Sequence, residues 1–141
     1  FPPFDIAARY VPSFQLGGDF FDFVKLEGNL GVAVGDVVGK GVAASLLMAS
    51  VRASLRAYAQ DVYDLDEIIA RVNIALTRDT LDNEFATLWY GVLDPRAMRL
   101  TYCNAGHEPP LLLRWRPAAC SWASTPGRNT KKVSSICAKA M

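Results

Sequence analysis

An α+β architecture, with helices laid on one face of a sheet, is the fold class this sequence predicts. Three observations carry it. Strand-like segments come in a run before residue 35, two segments of helical period follow between 42 and 77, and strand-like segments return after 85. Strands gathered in runs around a helical pair belong to an α+β domain, whereas a doubly wound fold alternates strand with helix.

The elements follow in order. Phe4 to Val11 alternates loosely and stops at Pro12, which predicts an edge strand closed by a turn. Gly17-Gly18 breaks the chain before Asp19, and the aromatic and β-branched run Phe20 to Leu26 predicts a second strand. Glu27-Gly28-Asn29 reads as a hairpin turn, Gly and Asn being the residues that tolerate positive φ. Leu30 to Val34 is wholly apolar, the pattern of a strand buried on both faces. After Gly35-Asp36 and the turn Gly39-Lys40-Gly41 the period changes. Leu47, Val51, Leu55 and Tyr58 recur at helical spacing within Val42 to Tyr58, with Arg52 and Arg56 off that stripe. Leu65, Ile68, Ile69, Val72 and Leu76 form the stripe of a second helix over Leu65 to Thr77, for which Asp64 is the expected N-cap. Phe85 to Leu93 and Met98 to Cys103 predict a hairpin turning at Asp94-Pro95-Arg96-Ala97, and Leu111 to Trp115 one more strand. Pro117 to Met141 has no clear period and is rich in Ala, Ser, Lys and Arg. It reads as a flexible tail or as a foreign ending in place of the natural one.

Composition narrows the function classes. With 141 residues, 51% apolar and 21% charged, the chain suits a single globular domain. A net charge of +1 offers no bulk field for nucleic acid or an anionic membrane, so an anionic substrate has to be held locally. No apolar run is long enough to span a bilayer and no leader opens the chain. Cys103, Cys120 and Cys137 are odd in number and lack CxxC spacing, which argues against zinc and disulfides and fits a reducing cytoplasm.

The chemistry concentrates where strand ends meet glycine. Asp19 follows Gly17-Gly18, and Asp36 follows Gly35 at the end of a buried strand. Two carboxylates at neighbouring strand ends concentrate negative charge, which a hard divalent cation with oxygen ligands relieves. Asp beside Gly is also the commonest turn chemistry, so spacing alone leaves both readings open. Gly39-Lys40-Gly41 precedes a helix but lacks GxxxxGK[ST] spacing, which disfavours a nucleotide site and leaves Lys40 a weaker pull on a phosphoryl group. No GxSxG elbow supports a serine hydrolase, and the one histidine, His107, sits in the tight turn Asn104-Ala105-Gly106-His107 before Pro109-Pro110.

Together, the blocks Leu16-Gly17-Gly18-Asp19-Phe20-Phe21-Asp22-Phe23, Gly35-Asp36-Val37-Val38-Gly39-Lys40-Gly41-Val42-Ala43-Ala44 and Asn104-Ala105-Gly106-His107-Glu108-Pro109-Pro110 resemble the bacterial protein phosphatase 2C-like (PPM) family, in its RsbU/SpoIIE-like branch. Pro12-Ser13, Asn73, Ala86-Thr87 and Tyr90-Gly91 also fit that pattern. The resemblance implies an αββα sandwich, metal-dependent hydrolysis of phosphoserine or phosphothreonine, and two Mn²⁺ or Mg²⁺ ions between the sheets. It implies Asp19 and Asp36 as catalytic metal ligands, Asp36 bridging, with the backbone carbonyl of Val37 as a further contact. Asp22 matches an acidic position without an assigned role, and His107 matches a structural turn. The implied partner is a phosphorylated anti-anti-sigma (STAS-domain) protein of a partner-switching circuit, with no nucleic acid and no membrane.

The pattern departs from the family after Asp94, beyond which no aspartate occurs, so the two further metal carboxylates of the family have no counterpart. The expectation is therefore a C-terminally incomplete domain over 1–116, an atypical tail over 117–141, reduced cation binding, and low or no activity of this chain alone. Uncovered sheet surface would favour a homodimer. A phosphatase fold that binds a partner without turnover is the second reading.

Overall fold

The computed structural model describes residues 1–11, 17–78, 80–81, 83–111 and 113. Strands β1 (Phe20–Lys25) and β2 (Leu30–Val37) come first, then helices α1 (Val42–Asp61) and α2 (Leu65–Arg78), then strands β3 (Ala86–Asp94) and β4 (Arg99–Ala105). The strands form one sheet in the order β1-β2-β3-β4, and every neighbouring pair is antiparallel. Both helices lie on one face of it.

Strand alternation decides which residues meet the helices. Phe20 pairs with Gly35, Asp22 with Ala33 and Val24 with Gly31, so these six share the helix-facing side. Leu88, Tyr90 and Cys103 continue that side across β3 and β4. Val51, Leu55 and Ala59 of α1 and Ile68, Ile69 and Val72 of α2 close the core against them. Burying each aliphatic side chain there is worth about 2 kcal/mol.

Local chemistry sets the element ends. The β1–β2 turn is closed by Leu26 and Asn29, each amide donating to the other's carbonyl, and Gly28 supplies the positive φ of 72°. Asp64 caps α2 as expected, its Oδ1 accepting from the amides of Asp66 (2.9 Å) and Glu67 (3.4 Å). Asp94 does the same for the β3–β4 turn, accepting from Arg96 and Ala97 at 2.9 Å each.

Two expectations are corrected. Phe4 to Val11 is irregular rather than a strand, since a strand needs a ladder and no described residue pairs with this segment. The second strand runs on to Val37; its far side is covered at Leu30 but not at Val34, while its helix side is closed off. Ala33 and Val37 are buried there, whereas Val34 on the other side is 39% exposed. An apolar run such as this one does not show whether both faces are covered. The predicted strand at Leu111 to Trp115 and the stretch 117–141 lie outside the described residues, apart from Leu111 and Leu113, which are irregular. No described helix is long and apolar enough to cross a membrane.

Candidate active site

The pairing register builds the site. One step beyond the Phe20–Gly35 pair, Asp19 falls opposite Asp36, and one step further the amide of Val37 donates to the carbonyl of Gly18 at 3.3 Å. Asp36 in turn pairs with Thr87 of β3. Asp19, Asp36 and Thr87 thus form a row across three strands at one end of the sheet. The turn after β4 brings His107 to the same row, where its Nδ1 lies 2.8 Å from Thr87 Oγ1. Asn104 locks that turn, its side chain accepting from the His107 amide and donating to the His107 carbonyl, both at 2.9 Å.

The sequence predicts two carboxylates at neighbouring strand ends, and the register sets the two residues opposite each other across β1 and β2. Burial raises the pKa of Asp36, and the charge of Asp19 with a side-chain hydrogen bond between the two raises it further, against weaker opposing pulls from His107 and the Val37 amide. Two carboxylates facing each other across the register, on exposed residues, form an oxygen-only donor set. That chemistry fits a hard divalent cation. Among the described residues no cluster of three or more acidic, histidine or cysteine side chains forms.

Gly18 makes the approach of these strands possible. A side-chain carbon at this position would collide with the carbonyl oxygen of Val37, a fixed backbone atom. Gly18→Ala is therefore expected to separate Asp19 from Asp36 and weaken Mn²⁺ binding about tenfold or more, as measured by calorimetric titration. Wild-type affinity in that variant would show that the close approach is dispensable.

Asp22 has a different role, one that the motif did not disclose. It faces the helices, is 4% exposed, and is gripped by α1. Arg56 donates to both its oxygens at 2.6 Å, and Arg52 reaches Oδ1 at 3.3 Å. Burial pushes this carboxyl up, but the two guanidinium groups outweigh it and hold the pKa below the ordinary value. The signal was present in the sequence: Asp22 alternates with Phe20 and Val24, and Arg52 and Arg56 stand one helical turn apart. Ser45, near the start of α1, donates to the carbonyls of Gly41 (3.0 Å) and Gly17 (3.4 Å), tying the helix to the loop that carries Asp19.

Residues 26–127 match the family described as Stage II sporulation protein E (SpoIIE). The chain belongs to the SpoIIE family. It is 30% identical over 105 residues to the phosphoserine phosphatase RsbU of Bacillus subtilis, an alignment covering 74% of this chain and 31% of that protein. Among solved structures, the RsbU and RsbW domains of Rv1364c from Mycobacterium tuberculosis superpose with a TM-score of 0.62 and 34% identity, over 70% of this chain and 28% of that one. The SiaA-PP2C domain of Pseudomonas aeruginosa shares the fold, with a TM-score of 0.55 and 24% identity, covering 64% and 37% of the two chains. The chain spans about a third of the length of the relatives it matches. SpoIIE-family membership accounts for the sheet with two helices, which is one half of a protein phosphatase 2C-type sandwich. Phosphatases of the SpoIIE family are metal-dependent.

Proposed function

We propose that this chain is the core segment of a metal-dependent serine/threonine protein phosphatase of a bacterial partner-switching circuit. The observation that supports it best is the register that sets Asp19 opposite Asp36, the residue before Val37. These three residues would hold Mn²⁺ or Mg²⁺. When bound, such a cation supplies Lewis acidity toward a phosphoryl oxygen and lowers the pKa of water. The chain's own residues position the rest: Thr87 orients His107, Asn104 fixes its turn, and Ser45 anchors the loop before Asp19.

The substrate class is a phosphorylated STAS-domain protein in the cytoplasm, with 1–116 as the phosphatase unit and 117–141 as a separate tail. The reaction transfers the phosphoryl group from the serine or threonine oxygen to water, releasing inorganic phosphate. Phosphate release from a phosphoserine peptide, followed with and without Mn²⁺, tests the proposal. Cation-dependent release supports it, and none from a folded chain at saturating Mn²⁺ overturns turnover by this chain in favour of the second reading.

A second reading, a module that binds phosphoprotein without turnover, is favoured by the two-carboxylate donor set among the described residues. The same assay decides between them. Self-association is also proposed, through the sheet face opposite the helices, where Phe21 and Val34 are exposed. Sedimentation should give a dimer mass that falls to a monomer in Val34→Lys, and a wild-type monomer would refute it.

A further inference from the structure

We infer that the groove along the outer edge of β1, running from Asp19 to Arg52, holds the polypeptide beside the phosphorylated residue, and that Arg52 selects an acidic side chain there. The inference rests on the phosphatase reading for what lies at Asp19, and it names the chemistry of the protein substrate. The groove measures about 540 Å³, with Asp19, Phe21, Phe23, Ser45, Met48 and Arg52 in its walls.

Charge identifies the occupant. Asp22 is a single carboxylate facing two guanidinium groups. Arg56 satisfies it with two bonds of 2.6 Å, whereas Arg52 makes one contact of 3.3 Å to an oxygen already bonded. The Arg52 Nε has no hydrogen-bond partner among the described residues. One positive charge is left over, on a side chain 39% exposed beside the groove. A carboxylate from a partner balances it, and Phe21, Phe23 and Met48 supply apolar contact around that pair.

The edge of β1 also dictates how the partner is read. Three of its outward backbone groups from Phe23 onward are taken by side chains. Asp22 accepts from the Phe23 amide, Arg56 donates to the Phe23 carbonyl and Gln60 donates to the Lys25 carbonyl. Strand addition along the whole edge is blocked, so recognition falls on side chains. Asp19 and Asp22 are three residues apart, roughly 10 Å along a strand. The third residue of an extended peptide whose phosphoryl group sits at Asp19 therefore lies level with Asp22 and its partner Arg52.

The test measures binding rather than turnover. Fluorescein-labelled peptides carry a non-hydrolysable phosphonate analogue of phosphoserine, with Glu or Lys at the third position before or after it. Anisotropy is read on the full chain in low salt with Mn²⁺. One Glu placement should bind about fivefold tighter than its Lys counterpart. Arg52→Gln should erase that preference and Arg52→Glu should reverse it. A wild-type chain indifferent to the flanking charge overturns the inference, and so do variants that weaken every peptide alike. The wild-type comparison decides the matter even if a variant fails to fold. A charge preference without any phosphate release would refute the enzyme reading and leave the Arg52 assignment standing.

Discussion

Asp36→Asn is expected to reduce Mn²⁺-dependent phosphate release by about a hundredfold or more and to weaken Mn²⁺ binding in parallel. The substitution keeps the shape and removes one of two carboxyl groups that the β1–β2 register brings together. It should also stabilise the cation-free chain slightly. The pKa of Asp36 is raised in the folded state, first by burial and then by Asp19. Stability from such a group is present at low pH and is lost as pH rises through the folded value. Asn removes that loss. Because Asp36 is exposed, the gain at neutral pH is modest, about 0.5 kcal/mol. Weaker cation binding together with higher apo stability is the signature of a carboxylate pair kept together for a ligand. A variant with undiminished turnover would exclude Asp36 from the site, and one with lower apo stability would point to a structural role.

The largest effect on folding is expected at Asp22. Asp22→Ala leaves Arg56 and Arg52 without their carboxylate and the Phe23 amide without its acceptor, at the seam between β1 and α1. Breaking a buried pair costs several kcal/mol, but both arginines reach solvent, so the expected loss is about 2 kcal/mol. Urea unfolding at pH 7 measures it. The pH dependence follows from the lowered pKa of Asp22. Its contribution is present above the unfolded carboxylate value, about 3.9, and disappears as pH falls through the folded value. Wild type and Asp22→Asn should therefore differ at pH 7 and converge toward pH 3. A gap that persists in acid would mean that packing, not charge, holds the seam.

Both experiments turn on the same strand, where alternate residues do different work. Asp19 precedes β1 and faces across to Asp36, whereas Asp22 points at α1. Treated as a motif, the two aspartates look alike. Period-2 alternation separates them, because a residue that shares its face with Phe20 and Val24 must be buried and therefore paired.

The order of elements from Phe20 to Ala105, both helices, the hairpin turns, the Asp64 cap and the family were determined by the sequence alone. Each depends on local terms: hydrophobic period, turn chemistry and spacing of short blocks. Contacts that join residues far apart in the chain were decided only in three dimensions. The Thr87–His107 bond spans 20 residues and the Asp22–Arg56 pair spans 34. The burial of β2 was likewise decided there, because an apolar run does not tell what covers each face. Strand register, set by the whole sheet, aligned Asp19 with Asp36, and no local preference reaches across that distance.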